Sequence, residues 1–312
     1  MKRDVLFAGE LNVDLVLTGV RQAPVFGAEI LAGDYTECLG SSTAICACAA
    51  ASLGLTACFF GKLGTDRYGT VVMETFRRYG IDTGLIEISG AYKTGLTVSI
   101  SAAHDRALVT CFGDTIDGFD AAEIPLKSAG ARHLHMGSYF LQPRVRKNLP
   151  AVYAQAKQLG MTTSLDAGWD EEGRWNEGLQ DILRFTDFFF PNDREACQIA
   201  GTGDISEAAA RIARMGVNVM VKCGADGAIL CERGSSEPRR FPPYQTRVLD
   251  STGAGDSFNA GALYAFLKGR PLDECVRYGN AAGAVSVTRP GGTTASPTLS
   301  EVEATIRTGR VI

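Results

Sequence analysis

The chain has 312 residues, of which 45% are hydrophobic and 21% charged, a balance that suits a globular protein with ample material for a buried core. Its formal net charge is −4 and no Lys/Arg run exceeds a pair such as Arg239-Arg240, so the counterion-release affinity for nucleic acid has no source. The stretch "MKRDVLFAGELNVDLVL" is cut by Glu10, Asn12 and Asp14, and no window reaches ~18 uninterrupted apolar residues, so neither a signal peptide nor a membrane span is expected.

In chain order, "DVLFAGE" reads as a short apolar strand. Residues 12–38 alternate polar and apolar positions with turns. "GSSTAICACAAASLG" is an Ala-rich helix ending at Gly54, "TACFFGKLG" the next strand, and "DRYGTVVMETFRRYG" a helix closed by Gly80. Residues 93–112 ("KTGLTVSISAAHDRALVTCF") alternate again. The apolar runs "ARHLHMG", "TTSLDAG", "DFFFPN" and "VNVMVKCG" follow, separated by helical stretches such as "PAVYAQAKQLG" and "ISEAAARIARMG". Continuous apolar strands between helices predict a parallel sheet covered on both faces, with the site beyond the carboxyl ends of the strands. The two alternating regions, 12–38 and 93–112, predict a small antiparallel sheet projecting from it. Nine cysteines lie mostly in apolar runs with no CxxC pair, which suggests reduced thiols in a cytoplasm.

Near the C-terminus, "YQTRVL" reads as a strand, "STGAGD" as a turn and "DSFNAGALYAFLKG" as a helix stopped by Gly269 and Pro271. Gly253 and Gly255 allow close backbone approach, and the helix start offers unpaired amides with the positive end of the dipole behind them. Such a turn is an anion site. A carboxylate inside it, Asp256, would repel a resting phosphate; it makes sense as a base for a hydroxyl attacking that phosphate. The other reading of Asp256 is a helix cap. Other templates fail. "FFGKLG" has Leu63 where a P-loop needs Ser or Thr, Phe258 stands at the third glycine of G-x-G-x-x-G, and His133 and His135 on one strand suit a core better than a metal.

"DSTGAGDSFNAG" resembles the C-terminal signature of the ribokinase-like (PfkB) carbohydrate kinases. Supporting marks run in the family's order: "GELNVD", "GKLGTDRYG", "PNDREA", "VKCGADGAIL" and "GNAAGAVSVTRPGG". The resemblance implies one kinase domain over residues 1–312, a three-layer α/β/α sandwich with a mostly parallel central sheet and a β-sheet lid. It also implies transfer of the γ-phosphate of ATP to a hydroxyl of a sugar or sugar-like acceptor. Asp256 resembles the catalytic base, and the amides of Gly253, Ala254 and Gly255 the anion hole. Asn192 and Glu195 match an N-x-x-E motif that organises Mg²⁺ and the phosphates through waters; the pair would also suit a helix start. Lys222, Gly224, Gly227 and Asn280, with Gly253 and Gly255, match nucleotide-lining positions. Asn12 and Asp14 match a pair that binds sugar hydroxyls, and Asp250 and Thr252 match a monovalent-cation site, with K⁺ the expected occupant, to which "RPGG" at 289–292 would add carbonyls.

This chain departs from the family on the acceptor side. Where members carry Gly-Gly and then Asn at the first long helix, it has Gly40, Ser41 and Ile45, and a D-x-N-x-R type strand end becomes "DAGWDEEGRW". The acceptor therefore stays open between a sugar-like alcohol and a nucleoside or heterocyclic alcohol. A non-catalytic nucleotide- or sugar-binding protein is the alternative of another class, against which Asp256 inside the anion turn argues. A homodimer through the lid strands is expected, because segments such as "LTVSIS" leave an apolar face uncovered.

Overall fold

The computed structural model describes residues 3–101, 106–289, 291–294 and 296–311. Residues 5–8, the apolar heart of strand β1 (Arg3–Ala8), are all buried, so both faces of that strand are covered. The chain continues through β2 (Asn12–Thr18), β3 (Asp34–Leu39), α1 (Ser42–Ser52), β4 (Ala57–Gly64), α2 (Arg67–Tyr79), β5 (Asp82–Ser89), β6 (Gly95–Ser101) and β7 (Arg106–Cys111). Next come α3 (Leu126–Ala129), β8 (Ala131–Met136), α4 (Pro143–Gln158), β9 (Thr162–Leu165), α5 (Leu179–Leu183), β10 (Phe188–Phe189), α6 (Asp193–Ala200) and α7 (Ile205–Ala213). The C-terminal third holds β11 (Asn218–Lys222), β12 (Ala228–Cys231), β13 (Arg239–Phe241), α8 (Ala254–Leu267), α9 (Leu272–Ser286) and α10 (Leu299–Thr308).

Among the described residues, nine strands form the large sheet in the order β13-β12-β11-β10-β9-β8-β1-β4-β5. Every pairing from β11 to β5 is parallel, and β12 and β13 add an antiparallel edge. Alternate side chains feed two cores. Leu6, Leu134, Phe189 and Val219 meet α4 to α7 on one face, while Val5, Phe7, Phe59 and Phe188 meet α1, α2, α8 and α9 on the other. This is a three-layer α/β/α sandwich. Its α8/α9 contact is close because Gly261 carries no side chain: a Cβ there would lie 2.5 Å from the Tyr278 carbonyl oxygen.

The second sheet has the order β3-β2-β6-β7 and comes from the two alternating regions. Its outer pairs are antiparallel, but β2 and β6 run parallel, so the expected antiparallel sheet is a mixed one. The reason is connectivity: the whole α1–β5 unit lies between β2 and β6, long enough for a crossover. The tip of the 93–112 segment, residues 102–105, lies outside the described residues. Period-two alternation sorts the faces: Asn12, Thr97 and Ser99 are buried, whereas Leu96, Val98 and Ile100 opposite them stay half-buried.

Two local expectations are corrected. "YQTRVL" is no strand; residues 244–249 contain one isolated bridge, Gln245 with Arg310. The Leu249 and Asp250 N–H groups donate instead to the Val287 carbonyl at the end of α9, and Val248 and Leu249 are exposed, so no sheet neighbour claims the segment. The helix read from "PAVYAQAKQLG" begins seven residues earlier, where Pro143 occupies the first turn of α4.

Candidate functional site

The turn between Asp250 and α8 divides two cavities at the carboxyl end of the large sheet. Gly253 is the N-cap of α8 with φ 73°, a left-handed conformation that favours glycine. It has no room for a side chain either, since a Cβ would lie 2.9 Å from the Gly292 Cα and 3.0 Å from Ile45 Cγ2. Gly255 and Asp256 open the helix, where amides lack intrahelical acceptors. The Ala254 N–H donates to the Ser251 carbonyl at 3.2 Å, so that member of the expected anion hole is already engaged. Gly253 borders one cavity, Ala254 and Gly255 the other.

The smaller cavity, about 180 Å³, lies under the lid. Asn12, Asp14, Ser41, Ile45, Gly253 and Asp256 all line it, with Glu10, Ser42, Thr97 and Ser138. Asn12 Nδ2 donates to Asp14 Oδ1 at 3.0 Å and to Thr97 Oγ1 at 3.1 Å, which ties the pair to both lid strands. Gly40 lies behind the wall; a Cβ would collide with Asp14 Oδ1 at 2.1 Å, so the bare backbone makes space for that carboxylate. Ser41 keeps a positive φ of 67° at a position where the family has glycine. Its hydroxyl donates to the Glu10 carbonyl at 2.7 Å and accepts from the Ala44 N–H at 2.9 Å, so it caps α1 while holding that strained backbone.

Asp256 is no helix cap. It is the third residue of α8, and its Oδ1 accepts from Ser42 Oγ at 2.5 Å across the cavity floor. Burial pushes its carboxyl up to about 7, the Asp166 carboxylate adds to that rise, and Ser42 and Lys222 oppose it. Glu10 is buried too, its carboxylate accepting from Thr43 Oγ1 at 2.9 Å and Gln142 Nε2 at 3.0 Å, and burial raises it.

The larger cavity, about 480 Å³, is bordered by Lys222, Gly224, Gly227, Gly255, Phe258 and Asn280. Asn280 Nδ2 donates to the Pro242 carbonyl at 3.1 Å, which pins the loop after β13 to α9. Gly227, with φ 83°, would put a Cβ 2.1 Å from the Phe241 carbonyl oxygen. Lys222 Nζ donates to Asp166 Oδ2 at 2.5 Å, and Asn259 Nδ2 donates to the same oxygen at 2.6 Å. Burial alone would lower Lys222 and raise Asp166, but their mutual attraction reverses both shifts.

Asn192 and Glu195 line neither cavity wall. They form a reciprocal capping box on α6: Asn192 Oδ1 accepts from the Glu195 N–H and Glu195 Oε2 from the Asn192 N–H, each at 2.8 Å. Burial pushes Glu195 up to about 8, and Asp166 adds to it. Asp250 Oδ1 accepts from Thr252 N and Oγ1, and its Oδ2 accepts from the Gly291 N–H at 2.8 Å. That carboxylate joins the 249–253 turn to the 289–292 loop, in which Pro290 lies outside the described residues. His133 and His135 are core residues bonded to Thr162 and Ser164, and burial holds His135 down to about 4. Glu10, Ser42, Asp166 and Asn259 belong to the site without having been singled out in the sequence. Asp166 follows the last residue of β9, so the strand-end rule was the signal that could have found it.

The family model for pfkB family carbohydrate kinases matches residues 2–299. A relative from Archaeoglobus fulgidus, described as an uncharacterized sugar kinase, is 32% identical over 77% of this chain and 94% of its own. The acarbose 7(IV)-phosphotransferase of an Actinoplanes species is 30% identical over 77% of each chain. The solved structure of Arabidopsis thaliana ribokinase complexed with ribose and ATP superimposes with a TM-score of 0.85, at 23% identity, over 98% of this chain and 99% of that one. The chain is a member of the PfkB family of carbohydrate kinases, a sugar kinase built on the ribokinase-like fold.

Proposed function

We propose that residues 1–312 work as one ATP-dependent kinase that phosphorylates a hydroxyl of a sugar-like acceptor under the lid segments 12–38 and 93–112. One observation carries this reading: the Gly253–Asp256 turn is the shared wall of a nucleotide-sized cavity and a smaller polar one, with Asp256 facing the latter. In this reading Lys222, Gly224, Gly227 and Asn280 hold ATP in the larger cavity, and the amides of Gly253 and Gly255 receive the γ-phosphate. Asn12 and Asp14 orient the acceptor, and Asp256 Oδ takes the proton of the attacking hydroxyl. No group of three His, Cys, Asp or Glu side chains gathers as a metal cage among the described residues. Mg²⁺ takes phosphates, waters and one or two carboxylates; Asn192 and Glu195, set off both cavity walls, would hold it through waters, and the ion would neutralise phosphate charge. A cytoplasmic setting accords with nine free cysteines, most of them buried.

Asp256→Asn should keep ATP affinity and lose about 10²–10⁴-fold in kcat, the usual contribution of a general base. The base must be unprotonated, so kcat/KM of the wild-type enzyme should rise with pH through about 7 and fall away on the acid side. A variant with more than about a tenth of wild-type turnover would leave Asp256 without that role.

Asp250 and Thr252 would hold a monovalent cation beside the anion turn. Activity should then require Mg²⁺ and be higher in K⁺ than in Na⁺; equal rates in K⁺, Na⁺ and a bulky organic cation would dispose of the ion site.

Ribose and fructose should be poor acceptors relative to nucleosides and aminocyclitol-bearing sugars. Ile45 is buried in the wall where the family has an amide, so a small polyol loses a hydrogen bond there, worth about 1–3 kcal/mol. Rates of ATP consumption over such a panel test this, with Ile45→Asn shifting preference back towards simple sugars. Ribose or fructose ranking first would defeat it.

A homodimer through the lid follows from its outer face, where Tyr35 and Val109 are 69% and 64% exposed beside half-buried Leu96, Val98 and Ile100. Light scattering should give twice the 33.2 kDa chain mass, and a monomer at micromolar concentration would rule the dimer out.

A further inference from the structure

We propose that Lys222 is a cation of the transfer step itself, and that Asp166 and Asn259 are positioning residues that hold its ammonium between the nucleotide-side cavity and Asp256. The proposal rests on the kinase reading above and assigns a device to it. Lys222 ends β11, at the carboxyl edge of the sheet, and its side chain is 14% exposed. From there it passes under the first turn of α8. A Cβ on Gly255 would sit 3.4 Å from Nζ and 3.6 Å from Cδ, in ordinary contact, so the lysine end lies directly against the start of α8.

Three elements converge to hold it. Asp166 Oδ2 accepts from Lys222 Nζ at 2.5 Å and from Asn259 Nδ2 at 2.6 Å, while Asp166 Oδ1 accepts from the Gly168 N–H at 3.1 Å. The carboxylate is therefore fixed on both oxygens. It takes one of the three donors of the ammonium, and Lys222 still borders the larger cavity. Asn259 turns its amide to Asp166, and its own buried Oδ1 has no partner among the described residues. A buried ion pair is in any case weak support for stability, because apolar residues of similar volume often do as well.

The chemistry suits the place. In the transfer, the acceptor oxygen bonds to the γ-phosphorus, the bond from that phosphorus to the β,γ-bridging oxygen breaks, the hydroxyl proton passes to Asp256, and ADP leaves. Negative charge spreads over the equatorial oxygens of the moving group, where a fixed ammonium stabilises it with no reorganisation.

The test compares Lys222→Met, Asp166→Asn and the double variant in steady-state kinetics across pH. Lys222→Met should lower kcat by roughly 10²–10³-fold, the effect of losing one preorganised charge donor, and weaken ADP binding by a much smaller factor. Asp256 is faced by Asp166 just after β9, Lys222 from β11, Glu10 from the loop after β1 and the Cys46 thiol from α1. Removing the Asp166 charge should therefore move the acid limb of kcat to lower pH, and removing the Lys222 charge should move it to higher pH. Loss of packing alone would not shift the two in opposite directions. The double variant has no unpaired buried charge, so it guards against misfolding, and it should stay as slow as Lys222→Met. Recovery of the double variant to more than about a tenth of wild-type kcat would overturn the proposal, as would matching pH shifts in the single variants. Absence of ATP consumption by the wild-type chain with every acceptor would remove the kinase reading itself; an active wild type with an active Lys222→Met removes only this one.

Discussion

Lys222 and Asp166 meet at the ends of two strands separated by β10, and the charge balance of the site depends on that contact. Asp166 bears on both Glu195 and Asp256 in a region from which water is largely excluded, and each of the two is raised by burial first and by Asp166 second. In each case Lys222 opposes the rise. A cluster of carboxylates without that ammonium would have to take up protons or open to water. With it, Asp166 is held below the usual carboxylate range and Asp256 reaches only about 7.

Close packing around the glycine turn imposes the second constraint. Gly253 touches Gly292 and Ile45, Gly255 lies over the lysine stem, and Gly261 lets α9 approach α8. The wall stays thin at Gly253, where Gly292 and Ile45 leave no room for a side chain. Asp250 then ties that wall to the 289–292 loop through the Gly291 N–H, so the turn is fixed from behind. Strain is tolerated at Ser41 for a similar reason: its hydroxyl is held by two backbone partners, which over-determine a conformation that glycine would adopt at no cost.

The lid shows one pattern serving two ends. The alternation in "LTVSIS" turns Thr97 and Ser99 into the smaller cavity and Leu96, Val98 and Ile100 away from it. A register slip of one residue would bury the apolar set in the site and expose the polar one. The parallel β2/β6 pairing sets that register, and Asn12, bonded to both Asp14 and Thr97, lies across it.

By itself the sequence determined the elements whose cause is local. Burial period marked the parallel strands and the two lid segments, left-handed glycines such as Gly80 closed helices, and Gly253 marked the turn before α8. Asn192 and Glu195 were legible in both readings, and the structure realises the capping box. Tertiary structure alone decided which distant groups meet. Ser42 and Asp256 are 214 residues apart in sequence, Asn259 and Asp166 93, and Lys222 and Asp166 56, and no local pattern encodes such pairings. It also decided that "YQTRVL" is not a strand, since a β-competent segment becomes one only where a neighbour offers free backbone groups. The perturbed carboxyls belong to the same class. Side-chain identity sets what can ionise, but burial and neighbouring charge set where it does, and both exist only once strands and helices remote in the chain have packed together.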